Sequence, residues 1–344
     1  MTILTSSDRS VRPVLPLLPS NTWQQELRDA VRDAGELCRR LGLSPELAHQ
    51  AAAGASDFPV FVTNSFLARI AHGNPSDPLL RQVLPIAEEG QLLPGFSTDP
   101  VGDLPAELHP GVLHKYLGRA LLVTTGACAV HCRYCFRRHF PYEVVPHSEA
   151  AWDAALPTLE TEESISEIIL SGGDPLMLTD SRLASLVKKI AAIPHVTRLR
   201  IHTRLPIVIP ARVTEELLDW LTSTRLTPVM VVHANHAQEL ADDVAQALAR
   251  LRGAGVVLLN QAVLLRGVND SVSAQQALSE RLIALGVLPY YLHQLDRVQG
   301  AAHFEVPIET GMQIITELRQ QLPGYLVPRY VQELPGEPSK TILF

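Results

Sequence analysis

The sequence predicts an α/β protein built from six consecutive strand–helix units. Apolar runs rich in β-branched residues recur from residue 119 onward, and helical patterns of apolar residues separate them. This alternation favours parallel strands joined by right-handed crossovers. Glycines and polar residues also cluster directly after the runs, where parallel sheets bind their ligands. Six units suit either a partial barrel or a doubly wound sheet.

The individual elements follow one another in regular order. The predicted strands are 120–125, 167–170, 199–203, 228–232, 256–265 and 287–292. The predicted helices between and after them are 149–160, 180–192, 213–223, 239–252, 272–285 and 309–321. These segments supply the crossover that two neighbouring parallel strands require.

The first 113 residues form a separate helical layer in this prediction and contain no recognisable chemistry. The helices predicted from apolar spacings of three and four are Trp23–Leu43, 45–53 and 63–72. Asn21 and Thr22 are candidate caps of the first helix. Residues 1–20 are polar and dotted with prolines, and we expect them to form a poorly ordered arm.

Composition and charge narrow the classes of function. The chain of 344 residues is 46% hydrophobic, enough for a large core, and its net charge is −7. An acidic chain lacks the basic surface that general nucleic-acid binding needs. No apolar run approaches the roughly 18 residues of a membrane span, and the first residues lack the apolar core of a signal peptide. We therefore expect a cytoplasmic protein without membrane or nucleic-acid partners, in which thiols stay reduced.

Three of the four cysteines lie close together in a loop after the first predicted strand. They are Cys128, Cys132 and Cys135, in the spacing C-x₃-C-x₂-C. Clustered cysteines in a reducing compartment suggest a metal site before a disulfide. One alternative is a structural zinc site with His131 or His139 as fourth ligand. The other is a [4Fe–4S] cluster, which normally takes four cysteines, so that three would leave one iron open. Cys38 stands alone and is expected to be a small buried hydrophobe.

The cysteine loop and the loop after the second strand together resemble a known family. Cys128-Ala-Val-His-Cys-Arg-Tyr-Cys135 is similar to the cluster motif of the radical S-adenosylmethionine (SAM) enzymes, and Ser171-Gly-Gly-Asp174 resembles their glycine-rich motif. The resemblance implies that the three cysteines hold a [4Fe–4S] cluster. It also implies that SAM binds at Ser171, Gly172, Gly173 and Asp174. The implied fold is a partial (β/α)₆ TIM-like barrel of the radical SAM type with a helical N-terminal layer.

Further motifs resemble those of the lysine 2,3-aminomutases. They are His114-Lys-Tyr116, Arg119, Arg137-Arg138, Asn260-Gln261, residues 264–270 and Gly336-Glu-Pro-Ser-Lys340. The resemblance covers roughly residues 110–344 and implies pyridoxal 5′-phosphate (PLP) as a third cofactor, bound to Lys340 as a Schiff base. A lysine near a chain end is usually a solvated charge. Here flanking prolines and the apolar residues 342–344 suggest a docked segment.

The same resemblance implies the remaining site residues. The PLP phosphate partners are Lys115, Tyr116 and Arg119, and Gln261 is a SAM contact. The substrate residues are Arg137 for the carboxylate, and Asp296 and Glu333 for the side-chain ammonium. Lys115 and Glu333 depart from the family, which usually has Arg and Asp there. His233 and His236, at a strand end, are further candidates for the pocket wall.

The resemblance implies an isomerase. A SAM-derived 5′-deoxyadenosyl radical and PLP would move the α-amino group of L-lysine to the β-carbon, and an external electron donor would reduce the cluster. The chain then divides into a helical N-terminal region (1–113), a barrel core (114–325) and a PLP-binding tail (326–344).

The chain stops soon after Lys340 and has no cysteine beyond Cys135. In this it resembles the branch that makes (R)-β-lysine for attachment to elongation factor P, which implies that factor and its ligase as partners. One alternative is an aminomutase that acts on free lysine for catabolism or osmolyte synthesis. An alternative of another class is a non-catalytic zinc or iron–sulfur binding module.

Overall fold

A computed structural model describes residues 22–54, 58–143 and 148–344. Its strands are β1 (Glu107–His109), β2 (Val112–Tyr116), β3 (Arg119–Thr125), β4 (Glu167–Gly172), β5 (Arg198–Thr203), β6 (Thr227–Val232), β7 (Val257–Val263), β8 (Leu288–His293), β9 (Arg329–Gln332) and β10 (Thr341–Ile342). They form one sheet whose strand order is the order of the chain. Strands β3 to β9 are parallel to one another, so the alternating pattern is confirmed. Because β1 and β10 stand at opposite ends of this order, the sheet is a partial, TIM-like barrel.

Twelve α-helices accompany the strands in the described residues. They are α1 (Trp23–Arg28), α2 (Ala34–Arg40), α3 (Pro45–Gly54), α4 (Asn64–Leu67), α5 (Pro78–Arg81), α6 (Glu149–Thr161), α7 (Asp180–Ala192), α8 (Leu205–Val208), α9 (Glu215–Thr222), α10 (Asp242–Gly253), α11 (Val272–Ala284) and α12 (Ile308–Gln321). The six predicted crossover helices correspond to α6, α7 and α9 to α12. In α7, for example, Leu183, Leu186, Val187 and Ile190 form the buried stripe that the spacing predicts.

The predicted single helix over Trp23–Leu43 is wrong. The chain forms α1 and α2 instead, because the backbone between them pairs with another segment. Val31 N donates to Val62 O at 2.8 Å, and Val62 N donates to Val31 O at 2.9 Å. Asp33 then caps α2 by accepting a hydrogen bond from Glu36 N at 2.8 Å. The apolar spacing survives this break, so periodicity alone could not reveal it.

The other predictions for this region have mixed outcomes. Thr22 caps α1 as predicted, whereas Asn21 and the arm over residues 1–20 lie outside the described residues. The helix predicted over 45–53 is confirmed as α3. The helix predicted over 63–72 is wrong in length, because only the four residues of α4 are α-helical and turns follow them.

The N-terminal layer is not purely helical, because β1 and β2 form an antiparallel hairpin that extends the sheet from β3. The predicted boundary at residue 113 lies within β2. Thr63 Oγ1 donates to Val208 O at 2.6 Å, and Gln82 Nε2 donates to Glu239 Oε1 at 3.1 Å, so buried polar contacts join this layer to the barrel. Cys38 is buried in the layer, as expected.

The C-terminal tail adds two strands that the sequence pattern did not predict. Strand β9 lies parallel to β8, and β10 turns back antiparallel to β9. Leu343 N donates to Tyr330 O at 2.9 Å, and Phe344 packs against the core below the guanidinium of Arg319. The expectation of a docked tail is confirmed. No helix among the described residues combines the length and apolar character needed to cross a bilayer.

Candidate active site

A cavity of about 270 Å³ lies inside the barrel and opens toward the carboxyl ends of its strands. The predicted site residues in its wall are Cys128, Cys132, Cys135, Ser171, Gly172, Gly173, Asp174, Gln261, Lys115, Tyr116, Arg119, Arg137, Asp296, Glu333 and Lys340. The structure therefore brings together every residue that the resemblance implies. His233 also lies in this wall, whereas His236 caps a short 3₁₀ turn and is not among the described wall residues.

The cysteine loop is fastened to the N-terminal layer by a buried arginine. Arg133 Nε donates to Glu89 Oε1 at 2.8 Å, and its Nη1 donates to Phe58 O at 2.7 Å. Arg138 Nη2 reaches the same carboxylate at 2.9 Å. Arg133 is fully buried, so these two arginines belong to the interior and not to a solvated basic surface. The layer without recognisable motifs thus positions the three thiols.

The three thiols sit close enough to influence one another's ionisation. Burial and the neighbouring thiol of Cys135 raise the pKa of Cys128 well above its usual value. Burial and Cys132 raise the pKa of Cys135 to about 11. Soft metal centres with positive charge favour the thiolate form, so this donor set suits iron or zinc.

The two histidines proposed as a fourth zinc ligand are engaged elsewhere. His131 Nδ1 lies 2.8 Å from Pro59 O, and its ring stacks on Phe58. His139 Nε2 lies 3.2 Å from Gln299 O. Across the described ranges, no three His, Cys, Asp or Glu side chains are grouped as a ready site for a single metal ion. The three thiols line the cavity and these two histidines do not, which fits a cluster with one iron left for another ligand.

The glycine-rich loop after β4 packs directly on the cysteine loop. Gly172 has φ +117°, and a Cβ there would lie 2.5 Å from Thr125 O. A Cβ on Gly173 would lie 2.4 Å from Ala127 O. Gly173 N donates to Thr125 O at 2.7 Å, which ties the loops together. Only glycine permits this approach, and it leaves backbone groups facing the cavity.

Asp174 anchors this loop through its carboxylate. It accepts hydrogen bonds from Thr203 Oγ1 at 2.7 Å, from Arg204 N at 2.7 Å and from Leu176 N at 3.0 Å. Burial raises the pKa of Asp174 to about 6 despite these donors. The carboxylate oxygens of Asp174 are therefore committed to backbone and hydroxyl donors of neighbouring loops.

Five charged groups of alternating sign cross the cavity wall. Arg137 Nε donates to Asp103 Oδ2 at 2.7 Å, and Lys115 Nζ lies 2.6 Å from Asp103 Oδ1. Lys115 Nζ also donates to Glu333 Oε1 at 3.1 Å, and Glu333 Oε2 accepts from Lys340 Nζ. Burial alone would raise the pKa of Glu333, but the two ammonium groups outweigh it and lower the pKa to about 2. This row of alternating charges holds the Lys340 amine at the cavity.

Asp296 lies beside this row of charged groups, but one of its carboxylate oxygens receives no hydrogen bond from them. Its Oδ1 is buried and has no hydrogen-bond partner among the described residues. Burial and the charge of Glu333 raise the pKa of Asp296 to about 7, although Lys340 and Lys115 oppose the shift. An unpaired buried carboxyl is costly, so this oxygen is suited to receive a cationic group of a ligand.

Aromatic, histidine and arginine side chains complete the wall. Arg119 lies 4.7 Å from the ring centroid of Tyr116, and Arg200, paired with Glu167, is a further cation in the wall. Further wall residues are His202, His233, His293, Tyr290 and Tyr291. Burial lowers the pKa of His233 to about 4 and those of His202 and His293 well below the usual value, so all three are neutral.

The sequence did not single out several of these wall residues. Asp103 has no signal, because it is an isolated acid in a segment without periodicity. Arg204 directly follows β5, and its place at a strand end was a usable signal. Lys115 was predicted as a phosphate partner, but its amine lies between two carboxylates and also donates to Val101 O at 2.8 Å.

The sequence of the chain is similar to those of known proteins. Residues 122–272 match the radical SAM superfamily. The chain is 49% identical over 322 residues to L-lysine 2,3-aminomutase of Escherichia coli, covering 93% of this chain and 94% of that protein. It is 45% identical over 333 residues to L-lysine 2,3-aminomutase of Haemophilus influenzae, with 96% and 98% covered. Identity to L-lysine 2,3-aminomutase of Acetoanaerobium sticklandii is 34% over 326 residues, with 93% and 78% covered.

Proposed function

Because the chain belongs to the L-lysine 2,3-aminomutase family within the radical SAM superfamily, we propose that it converts L-α-lysine to (R)-β-lysine. The family implies a [4Fe–4S] cluster, SAM and PLP. The observation that carries the proposal is that the amine of Lys340 and the three loop thiols face one cavity. When bound, the cluster and SAM supply one-electron chemistry for hydrogen-atom abstraction, and PLP supplies an aldehyde and a conjugated ring.

The chain's own residues hold the two ends of lysine in this proposal. Arg137 binds the substrate carboxylate, since a guanidinium offers paired donors to two oxygens. Asp103 orients the Arg137 guanidinium by accepting a hydrogen bond from its Nε at 2.7 Å. Asp296 and Glu333 receive the side-chain ammonium at the far side of the chain of charges. The unpartnered Oδ1 of Asp296 supports this role, because a bound ammonium would satisfy it.

Lys340 is the proposed anchor for PLP. Its side chain is 18% exposed and its amine is held by Glu333, so its position is defined before any aldehyde arrives. Arg119 and Tyr116 are the proposed phosphate partners, together with Lys115. The structure pairs Lys115 with two carboxylates, so a phosphate contact would require it to exchange one of them. Cys128, Cys132 and Cys135 hold the cluster, and the backbone at Ser171–Asp174 and Gln261 contact SAM.

We further propose that the product is destined for attachment to elongation factor P in the cytoplasm. The support is the resemblance of the motifs and of the short tail after Lys340 to that branch. The partners are then elongation factor P, its ligase and an external electron donor. The competing function, an aminomutase for free lysine in catabolism or osmolyte synthesis, uses the same site.

The test is the reaction of anaerobically reconstituted protein with L-lysine, SAM, PLP and a chemical reductant. Iron near four atoms per chain and formation of (R)-β-lysine support the proposal. A product of the opposite configuration would argue against the elongation factor branch. Stoichiometric zinc without a PLP absorbance band would favour a non-catalytic metal-binding module instead.

A further inference from the structure

Arg204 directs its guanidinium at the cysteine loop, and the proposed reaction does not yet use it. The residue directly follows β5 and is 7% exposed. Its Nη1 donates to Cys132 Sγ at 2.7 Å. A buried cation therefore lies in direct contact with one of the three thiols proposed as cluster ligands, which makes this a charge-assisted contact once that thiol is ionised.

Contacts with three neighbouring parts of the structure fix the backbone and the guanidinium of Arg204 in this orientation. Arg204 Nη2 donates to Glu239 Oε2 at 2.8 Å and to Gln82 Oε1 at 2.7 Å. The backbone N of Arg204 donates to Asp174 Oδ2 at 2.7 Å. The guanidinium also lies 5.3 Å from the ring centroid of Phe66. Because the barrel, the glycine-rich loop and the N-terminal layer all contribute, the group cannot swing away from the sulfur without breaking several buried contacts.

The two fully buried arginines of the described chain, Arg133 and Arg212, have a different pattern of partners. Arg133 donates to Glu89 and to backbone carbonyls, and Arg212 donates to Asp180 and to Leu176 O. These contacts end on oxygen, as expected for arginines that only support the fold. Arg204 also satisfies a carboxylate, yet it keeps one nitrogen for the thiol and leaves its Nε without a partner. The sulfur contact is thus additional to the structural ion pair.

We propose that Arg204 raises the reduction potential of the cluster by donating a hydrogen bond to the Cys132 thiolate. This rests on the proposed function, because it requires a cluster on the three cysteines. Reduction adds one electron from an external one-electron donor, and no bond forms or breaks. Part of the added negative charge resides on the thiolate sulfurs. A fixed N–H donor therefore stabilises the reduced state more than the oxidised state.

The size of the effect follows from the neighbours of Arg204. The carboxylate of Glu239 offsets part of the positive charge, so the directed N–H···S contact accounts for most of the shift. Replacing Arg204 with Gln should make the equilibrium constant for reduction about tenfold smaller, which equals 59 mV for a one-electron couple. Replacing it with Lys keeps the charge. A compact ammonium cannot serve the sulfur and both oxygens at once, so a smaller decrease is expected.

The experiment is a redox titration of reconstituted protein without added SAM, followed by the electron paramagnetic resonance signal of the reduced cluster. Wild type, Arg204→Gln and Arg204→Lys are compared at equal iron content. Arg212→Lys is the matched control, since it changes a buried, carboxylate-paired arginine that does not contact a thiol. The expected order of potentials is wild type, then Arg204→Lys, then Arg204→Gln, with the control equal to wild type.

Unchanged potentials in both Arg204 variants would overturn the inference while leaving the proposed function intact. If Arg204→Gln fails to hold the cluster, Arg204→Lys and Gln82→Leu decide the question. The Gln82 variant removes one of the two oxygens that orient Nη2, so a decrease smaller than that of Arg204→Lys is expected. Wild-type protein that assembles no iron–sulfur cluster would refute the proposed function, and this inference with it.

Discussion

Among the single residues of the site, Glu333 fixes the position of the Lys340 amine. Its carboxylate contacts the ammonium groups of Lys115 and Lys340, and they lower its pKa to about 2. Glu333 is therefore ionised throughout the working pH range. The ion pair holds the Lys340 amine inside the cavity, where a tail lysine would otherwise extend into solvent.

Replacing Lys340 with Ala should remove the PLP absorbance band that survives gel filtration. Activity should fall by more than about 10²-fold, because a misplacement of reacting groups by 1 Å already costs that much. The matched control is Lys189→Ala, which removes a partly exposed lysine on α7 that pairs with Asp153. A Lys340→Ala protein that retains the band would contradict the assignment of the anchor.

Asp296 should make the stability of the protein depend on pH. Burial and Glu333 raise its pKa from 3.8 to about 7 in the folded state. The folded chain therefore keeps this proton longer than the unfolded chain, and stability falls as pH rises from about 4 to 7. Asp296→Asn removes the titration. Its free energy of unfolding relative to wild type should rise by on the order of 2 kcal/mol between pH 5 and pH 8.

Urea unfolding of both proteins at the two pH values measures this difference. Asp242→Asn serves as the control, since Asp242 is an exposed acid at the start of α10. A difference between Asp296→Asn and wild type that stays constant with pH would show that Asp296 titrates normally. A bound ammonium should lower the pKa of Asp296, so L-lysine should reduce the pH dependence.

Site residues differed in how far the sequence could predict them. The candidate site residues that the resemblance implies lie in the cavity wall, whereas other motif residues, such as His114, Arg138 and Asn260, do not line it. Asp103, Glu89 and Gln82 were not identified, because each is a single polar residue in a region of prolines and short turns. Their burial depends on how the N-terminal layer docks, and no local pattern encodes that docking.

Among the structural elements, the close contact between the loops after β3 and β4 sets how the cysteine loop and the glycine-rich loop lie against each other. Gly173→Ala should separate these loops, because the new methyl group would lie 2.4 Å from the backbone oxygen of Ala127. Overpacking of this kind costs about 1–3 kcal/mol. We expect a lower melting temperature and incomplete loading of iron during reconstitution.

Gly253→Ala is the matched control for this substitution. It lies at the end of α10, and a Cβ there meets nothing within 4 Å. Alanine should leave stability unchanged or raise it slightly through helix propensity. Normal iron loading in Gly173→Ala would mean that the two loops can separate without disturbing the thiols.

The elements themselves were predictable where local pattern and tertiary role agree. Strands β3 to β8 were predicted from short runs rich in apolar and β-branched residues, which reflect burial against the surrounding helices. In β5 and β7 buried positions alternate with partly exposed ones, and there the pattern is weaker. Strands β9 and β10 were missed because they are short and rely on pairing with their neighbours. The single helix over Trp23–Leu43 was wrong for a related reason, since a backbone bridge from Val31 to Val62 overrides a favourable helical spacing.

In the molecule as a whole, the N-terminal layer stabilises the cysteine loop of the barrel. Glu89 neutralises Arg133 and Arg138, which are both buried. Glu89→Gln should leave two cations without a counter-charge, and breaking a buried pair costs about 3–5 kcal/mol. We expect a lower midpoint of urea unfolding and reduced iron loading, because Arg133 also fixes the cysteine loop.

Glu88→Gln is the matched control, because it makes the same chemical change one residue earlier at an exposed position. It should leave both the unfolding midpoint and the iron content close to those of wild type. Equal behaviour of the two variants would show that the layer does not support the loop through Glu89.

Because the strand order in the sheet is the order of the chain, the residues of the site are synthesised from one edge of the sheet to the other. The ribosome releases the cysteine loop after β3, whereas Glu333 and Lys340 follow β9 at the far edge of the sheet. At 5–20 residues per second, the roughly 200 residues between Cys135 and Lys340 take about 10 to 40 s to synthesise. The nascent chain therefore exposes its thiols well before the segment that completes the pocket exists. The order of the elements along the chain therefore allows the cysteine loop to fold before the residues that hold Lys340 have been synthesised.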